Sequence, residues 1–177
     1  MSKATPTSAI AKFAAGGKKT KKKDLGMMAI SYNDVYVAQI AIEANPMQAI
    51  KAIQEAENYP GPSLIIGYTP CISHGLRGGM GQTIQESKDA VESGYWQLYR
   101  YDPRLAAKGK DPMRIDYKKG DFSKMSAFLE NQTRFSALRS GKKDEQEVQD
   151  MLQHTVDVMT ERSENYNRLA AYKKVKE

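Results

Sequence analysis

Hydrophobic and polar positions alternate along this chain in a way that predicts strands and helices in a definite order. Val35-Tyr-Val-Ala-Gln-Ile-Ala-Ile42 is rich in β-branched and aromatic residues and reads as a strand. Asn45-Pro46 then opens a helix, with Asn45 as N-cap and Pro46 in the first turn, and Met47, Ile50, Ile53 and Ala56 recur at helical spacing until Pro60 stops it. After the turn at Pro60-Gly61-Pro62, the run Ser63-Leu-Ile-Ile-Gly-Tyr-Thr69 is apolar enough for a strand buried on both faces. Strand, helix, strand with short connections is the form of a parallel crossover unit.

The remaining segments are less regular. Ser8 to Ala15 holds good helix formers and ends at Gly16-Gly17, which predicts a short helix with a glycine stop. Asp24 is placed to cap a second short helix through Ala29. Thr83 is placed to cap a helix to about Ser93, and Tyr95 to Tyr101 alternates as a third strand ending at Asp102-Pro103. The text from Arg104 to Lys124 reads as loop with an extended piece around Met113 to Tyr117, followed by a helix near Met125 to Glu130. From Asp144 to about Tyr172, Val148, Met151, Leu152, Val156 and Met159 mark a long amphipathic helix. The whole is an α/β fold built on a parallel sheet, with no internal repeat and no compositional linker.

Composition narrows the function classes. The chain has 177 residues, 40% of them hydrophobic and 27% charged, as expected of a folded globular domain. No apolar run is long enough to cross a bilayer, so no membrane partner is expected. The single cysteine excludes an internal disulfide framework and points to the cytoplasm. A net charge of +6 comes largely from Lys18, Lys19, Lys21, Lys22 and Lys23. This cluster reads either as a site for an anionic partner or as a solvated surface, and the lack of interleaved aromatics argues against single-stranded nucleic acid.

Few residues carry recognisable chemistry. Gly78-Gly79-Met80-Gly81 lacks the Gly-Lys-Ser/Thr ending of a phosphate loop, and reads as a mobile turn or a weak phosphate cradle. His154 sits on the long helix as a surface or boundary residue. No nucleophile triad is present by motif, so no catalytic residue is assigned. Cys71, in Gly67-Tyr-Thr-Pro-Cys-Ile-Ser-His-Gly75, falls at the carboxyl end of the second predicted strand, the edge where open parallel sheets collect their ligands. A cysteine there is either a small apolar filler or a metal ligand, and a cluster needs more ligands than this chain supplies.

The stretches SKATPT, AKFAAGGKKTKKKDLG, VYVAQIA, YPGPSLIIGYTPCISHGL, GYWQLYRYDPRL and KDPMRID resemble the C-terminal part of the pyruvate:ferredoxin (flavodoxin) oxidoreductase family, from Ser2 to about Leu138. The resemblance implies that residues 1–138 are the C-terminal portion of a thiamine-diphosphate-binding α/β domain and 139–177 a helical extension. It implies that Cys71 is one thiolate of a [4Fe-4S] cluster whose other ligands lie outside this chain. The activity implied is oxidative decarboxylation of pyruvate to acetyl-CoA, with thiamine diphosphate and Mg2+ in the complete enzyme, ferredoxin or flavodoxin as electron carrier, and a homodimeric assembly. Thiamine-contacting residues on this chain are not identified, and the isolated chain is not expected to be competent. The chain departs from the family's usual glycines at Asn33-Asp34 and at Glu43. The competing expectation is an inactive fragment or a basic interaction module.

Overall fold

The computed structural model describes residues 2–118, 120–140 and 144–171. Its centre is a four-stranded sheet of β1 (Tyr36–Ile40), β2 (Ser63–Gly67), β3 (Tyr99–Tyr101) and β4 (Met113–Ile115), in spatial order β2-β1-β3-β4. The predicted crossover is present. β1 and β2 pair in parallel from Tyr36 opposite Ser63 to Ile40 opposite Gly67, joined by helix α2 (Pro46–Glu57). Asn45 caps α2 by accepting from the Gln48 amide at 3.0 Å, with Pro46 in the first turn. Beyond this unit the sheet is mixed, because β3 joins β1 antiparallel and β4 joins β3 antiparallel.

All five residues of β1 are buried, with layers on both sides. On one face Tyr36, Ala38 and Ile40 pack with Ala49 and Ala52 of α2. On the other, Val37 meets Ile30 of α1 (Leu25–Ile30), together with Tyr99, Tyr101 and Tyr166. Asp24 caps α1 as expected, accepting from the Met27 amide at 3.1 Å.

The long C-terminal helix is α7 (Glu145–Ala170), capped by Asp144. Its apolar stripe, Val148, Leu152, Val158 and Met159, closes a core with Met125, Phe128 and Leu129 of α5 (Met125–Asn131) and Phe135 of α6 (Thr133–Ser136). The expected helix end at Tyr172 lies outside the described residues. Helix α3 (Thr83–Glu92) has Thr83 as its first residue, not its cap: the Thr83 hydroxyl donates back to the Met80 carbonyl at 2.5 Å. A short helix α4 (Arg104–Ala107) interrupts the predicted loop before β4. The third strand is shorter than its alternation suggested, since Tyr95 turns into the α5–α7 core and only residues 99–101 pair.

Residues 8 to 15 are not helical, and the reason is tertiary. Ser8 adopts φ 64°, its amide donates to the Lys18 carbonyl at 2.7 Å, and the Lys18 amide returns to Ala9 at 3.1 Å. Its hydroxyl donates to the Met151 carbonyl of α7 at 2.5 Å and accepts from Thr155 at 2.9 Å. These long-range bonds outweigh a helix propensity worth only tenths of a kcal/mol per residue.

The lysine cluster is largely absorbed by the fold. Lys18 is buried, and its ammonium donates to the carbonyls of Thr5 at 2.6 Å and Lys3 at 3.3 Å. Lys21 is paired with Glu161, and the Lys22 ammonium lies 5.9 Å from the Trp96 ring centroid. Only Lys19 and Lys23 are exposed without such a role in these contacts. Among the described residues no helix is long and apolar enough to cross a membrane.

The departure at Asn33 has a conformational reading. Asn33 holds φ 62°, a left-handed conformation that glycine adopts freely and asparagine tolerates better than most residues.

Candidate functional site

The site is built where β2 ends. The Tyr68 amide donates to the Ile40 carbonyl at 2.9 Å, extending the parallel pairing one residue past the strand. The Tyr68 ring is wedged against Trp96 (5.5 Å between centroids) and Tyr95 (6.5 Å), which fixes where the chain leaves the sheet. Pro70 cannot continue a ladder and stiffens the exit. Cys71 then opens a tight turn, its carbonyl accepting from the amides of His74 at 3.0 Å and Gly75 at 3.2 Å.

Gly75 is required here. It holds φ 69°, and a Cβ on it would sit 2.6 Å from the Thr133 hydroxyl. Past the turn the chain is stitched to the α5–α6 junction. The Thr133 amide donates to the Gly75 carbonyl at 3.2 Å, Leu76 bridges Gln132, and the Arg77 amide donates to the Asn131 carbonyl at 2.9 Å. The turn is therefore held at both ends while its apex faces outward.

Cys71 is exposed, not the apolar filler that its place at a strand end also allowed. Its thiol is held below the ordinary cysteine value, first by the Ser73 backbone N–H, then by the Ser73 side chain, with a smaller contribution from the Arg134 charge. A hydrogen bond to sulfur favours the thiolate, the form that binds metal. His74 is also shifted downward, by burial first and by Arg134 second, which favours the neutral imidazole. Cys71, His74, Gln132 and Arg134 line a cavity of about 140 Å³ with the turn's backbone. Arg134 is positioned by donating to the Gln132 side chain at 3.0 Å and by stacking 5.3 Å from the Phe135 ring.

A buried acid sits against the end of α5. Glu86 of α3 is almost fully enclosed, accepts from the Asn131 side chain at 2.6 Å, and has its other oxygen unpartnered among the described residues. Burial raises its carboxyl above the ordinary range. Arg134, Gln132 and Glu86 were not marked by any motif. Arg134 and Gln132 reach the Cys71 turn, and Glu86 reaches Asn131, only through tertiary folding, and no local pattern announces them.

The other sequence candidates do not join the site. His154 is exposed on α7, as a surface histidine should be. The glycines 78–81 form an exposed turn leading into α3, with Gly79 at φ 78°. Among the described residues no three His, Cys, Asp or Glu side chains gather to hold a metal. A lone, exposed, thiolate-favouring cysteine fits a shared metal centre as one ligand and cannot make a complete one.

No family model matches the chain. Individual proteins do. It is 50% identical over 170 residues, 96% of its length, to a pyruvate-flavodoxin oxidoreductase of Enterobacter agglomerans. It is 55% identical over 138 residues, 78% of its length, to the pyruvate:ferredoxin oxidoreductase of Moorella thermoacetica. It is 47% identical over 171 residues, 95% of its length, to the mitochondrial pyruvate dehydrogenase (NADP+) of Euglena gracilis. The chain spans only 14%, 12% and 9% of those proteins respectively. A match of 170 residues in 177 necessarily contains the Cys71 turn. The chain is a homologue of one segment of the pyruvate-flavodoxin and pyruvate:ferredoxin oxidoreductases.

Proposed function

We propose that this chain works as the C-terminal portion of the thiamine-binding region of a pyruvate:ferredoxin or flavodoxin oxidoreductase, with Cys71 as one ligand of a [4Fe-4S] cluster. The observation that carries the reading is the exposed, thiolate-favouring Cys71 at the carboxyl edge of β2, inside the matched segment. The overall reaction is oxidative decarboxylation of pyruvate to acetyl-CoA, with electrons passed to ferredoxin or flavodoxin. When bound, thiamine diphosphate with Mg2+ supplies carbanion stabilisation and the cluster supplies one-electron transfer.

The protein's part is to hold and tune. Cys71 provides a thiolate, favoured above all by its neighbour Ser73, and hydrogen bonding to a cluster's sulfurs is a lever that raises its potential. Arg134 adds positive charge on the same side of the turn. Gly75 and Thr133 keep the sulfur in place. The parallel β1–β2 pair supports the thiamine side, α7 belongs to the extension that follows residue 138, and the assembly is a cytoplasmic homodimer. Catalysis requires the remainder of the enzyme, on the same polypeptide or another.

The test uses the assembled oxidoreductase recovered anaerobically. Cys71→Ser is expected to lose the iron of one cluster, about four atoms, or to lower that cluster's potential. Iron content and potential that match the unsubstituted enzyme would overturn the ligand assignment. Recovery of the chain free and without iron would withdraw the activity.

A further inference from the structure

Resting on the reading that Cys71 ligates a cluster, we propose that Arg134, held at the Cys71 turn by Gln132, sets that cluster's potential by its charge, and that Glu86, linked to it through Gln132, is the proton site that adjusts this charge. Arg134 and Cys71 line one cavity together with His74 and Gln132. The arginine is fixed at both ends: its carbonyl accepts from the Ile10 amide at 2.8 Å, and its Nε donates to the Gln132 Oε1 at 3.0 Å while the guanidinium stacks on Phe135. None of these partners is an anion.

The positive charge at this place is therefore unbalanced. Among the described residues no carboxylate is paired with Arg134. Its cationic neighbours make matters worse, since Lys22 is pushed down by burial first and then by the charges of Arg134, Arg162 and Lys18. The acid that opposes them, Asp24, is already engaged by Arg162 at 3.5 Å and by the Tyr166 hydroxyl at 2.6 Å. A half-buried cation among other cations is costly unless an anion completes the site. Thiolate ligands leave an iron-sulfur cluster net negative, and its net charge is one of the terms that set its potential. Arg134 stabilises the more negative, reduced state, which raises the potential.

Glu86 acts on the same network from α3. It is 1% exposed, accepts from the Asn131 side chain at 2.6 Å, and keeps its other oxygen unpartnered among the described residues. Burial foremost, with the Asp89 charge, favours its protonated form; Asn131, Gln132 and the Arg134 charge favour the ionised one, and burial prevails. Tyr68 faces it as well, and its hydroxyl accepts from the Gln132 side chain at 3.4 Å; burial raises this phenol, so it stays neutral. Gln132 thus touches Arg134 on one side and acts on Glu86 on the other. Protonated, Glu86 leaves the arginine's charge whole; ionised, it offsets part of it. The potential should then fall as pH rises through the folded value of Glu86. His74 titrates in the cavity too, and Glu86→Gln leaves its contribution in place.

The test is a potentiometric titration of the assembled oxidoreductase, recovered anaerobically and followed by the electron paramagnetic resonance of its reduced clusters, with iron measured in each variant. The signal that Cys71→Ser removes or shifts identifies the cluster. Arg134→Met is expected to lower its reduced-to-oxidised ratio at a fixed potential by at least about ten-fold, about 59 mV for a one-electron couple, with iron unchanged. Arg134→Lys, which keeps the charge, is expected to stay within about three-fold of the unsubstituted enzyme. Glu86→Gln is expected to match that enzyme at acidic pH and to remove at least about half of the fall in ratio on going to alkaline pH. An unchanged ratio in Arg134→Met with its iron retained would overturn the tuning role and leave the Cys71 assignment standing. Where Arg134→Met loses the iron, Arg134→Lys decides: a ratio still within three-fold upholds the role of charge, and one about ten-fold low despite the retained charge overturns it. A pH dependence unaltered in Glu86→Gln would remove Glu86 from the proposal. A Cys71→Ser enzyme that keeps every cluster signal in place would overturn the underlying reading and this inference with it.

Discussion

Replacing Arg100 by Met tests whether the buried charge network behind the sheet holds the α/β unit together. Arg100 is 7% exposed and binds Asp116 through two hydrogen bonds of 2.8 and 2.7 Å and Glu55 through one of 2.5 Å. Glu55 also accepts from the Tyr36 hydroxyl at 3.0 Å, and Asp116 from the Gln48 side chain at 2.9 Å. The Asp116 bonds, foremost, hold the guanidinium in its charged form. Three charge-assisted bonds at about 1.5–3 kcal/mol each would sum to more than 4 kcal/mol. Removing the arginine also ends its own desolvation cost, so the net is set by the two carboxylates left without a cation. Broken buried pairs cost about 3–5 kcal/mol.

With a urea slope of about 2 kcal/mol/M, that loss moves the unfolding midpoint down by about 2 M. Against a total stability of about 5–15 kcal/mol this is a large part of what the fold has. Trp96, the chain's single tryptophan, reports the transition by fluorescence because its ring packs on Tyr68 and its Nε1 donates to the Ile40 carbonyl at 2.9 Å. Adding Asp116→Asn to Arg100→Met should recover at least about half the loss, since it removes one stranded charge while keeping an acceptor for Gln48. A midpoint shift under about 0.5 M would refute the reasoning, because a loss that small belongs to a water-screened surface pair.

Gly75→Ala should cost about 1–2 kcal/mol through its left-handed backbone alone, with the Thr133 contact adding to it; a urea midpoint equal to that of the unsubstituted chain would show that the turn relaxes without cost. Glu86→Gln should stabilise the chain near pH 7.5. The folded carboxyl of Glu86 is raised, so its contribution is full below the unfolded value near 4 and is lost as pH rises through the folded one. The gain from the glutamine should therefore shrink as pH falls toward 5, and urea midpoints at two pH values check this; a gain that grows on acidification contradicts the assignment. The Cys71 thiol should titrate below a free cysteine in the pH dependence of iodoacetamide labelling, and Ser73→Ala should reverse only part of the shift because the backbone N–H is the larger cause. Labelling that follows the free thiol would remove the Ser73 hydrogen bond from the account.

What could be read from the sequence was local, and what could not was long-range. Asn45 with Pro46, the helical spacing from Met47 to Ala56, and the aliphatic runs on either side state the β1–α2–β2 unit within about thirty residues, and the structure has it. The stripe from Val148 to Met159 states α7 in the same way. Ser8 to Ala15 misleads because its helix formers are held by Lys18 and by α7, well over a hundred residues away. The antiparallel placement of β3 and β4 is not encoded in any one segment, since alternation gives a strand but not its neighbour. At the site, Cys71 is conspicuous as the single cysteine beside Pro70 and Gly75. Arg134, which shares its cavity, lies more than sixty residues later with nothing around it to mark it.

The strap between the chain's beginning and its final helix sets an order of events. Thr155 donates to the Thr7 carbonyl at 3.2 Å, Arg162 to the Lys22 carbonyl at 2.9 Å, and the Tyr166 hydroxyl to the Asp24 carboxylate at 2.6 Å, each across 140 residues or more. During synthesis the β1–α2–β2 unit can form early, from contacts close in sequence. Residues 7–24 do not complete these bonds until α7 has left the ribosome, so that closure waits for all the residues between them to be translated. Such distant closure slows folding, and in a nascent chain residues 7–24 stay open to proteases and wrong partners after the β1–α2–β2 unit has formed.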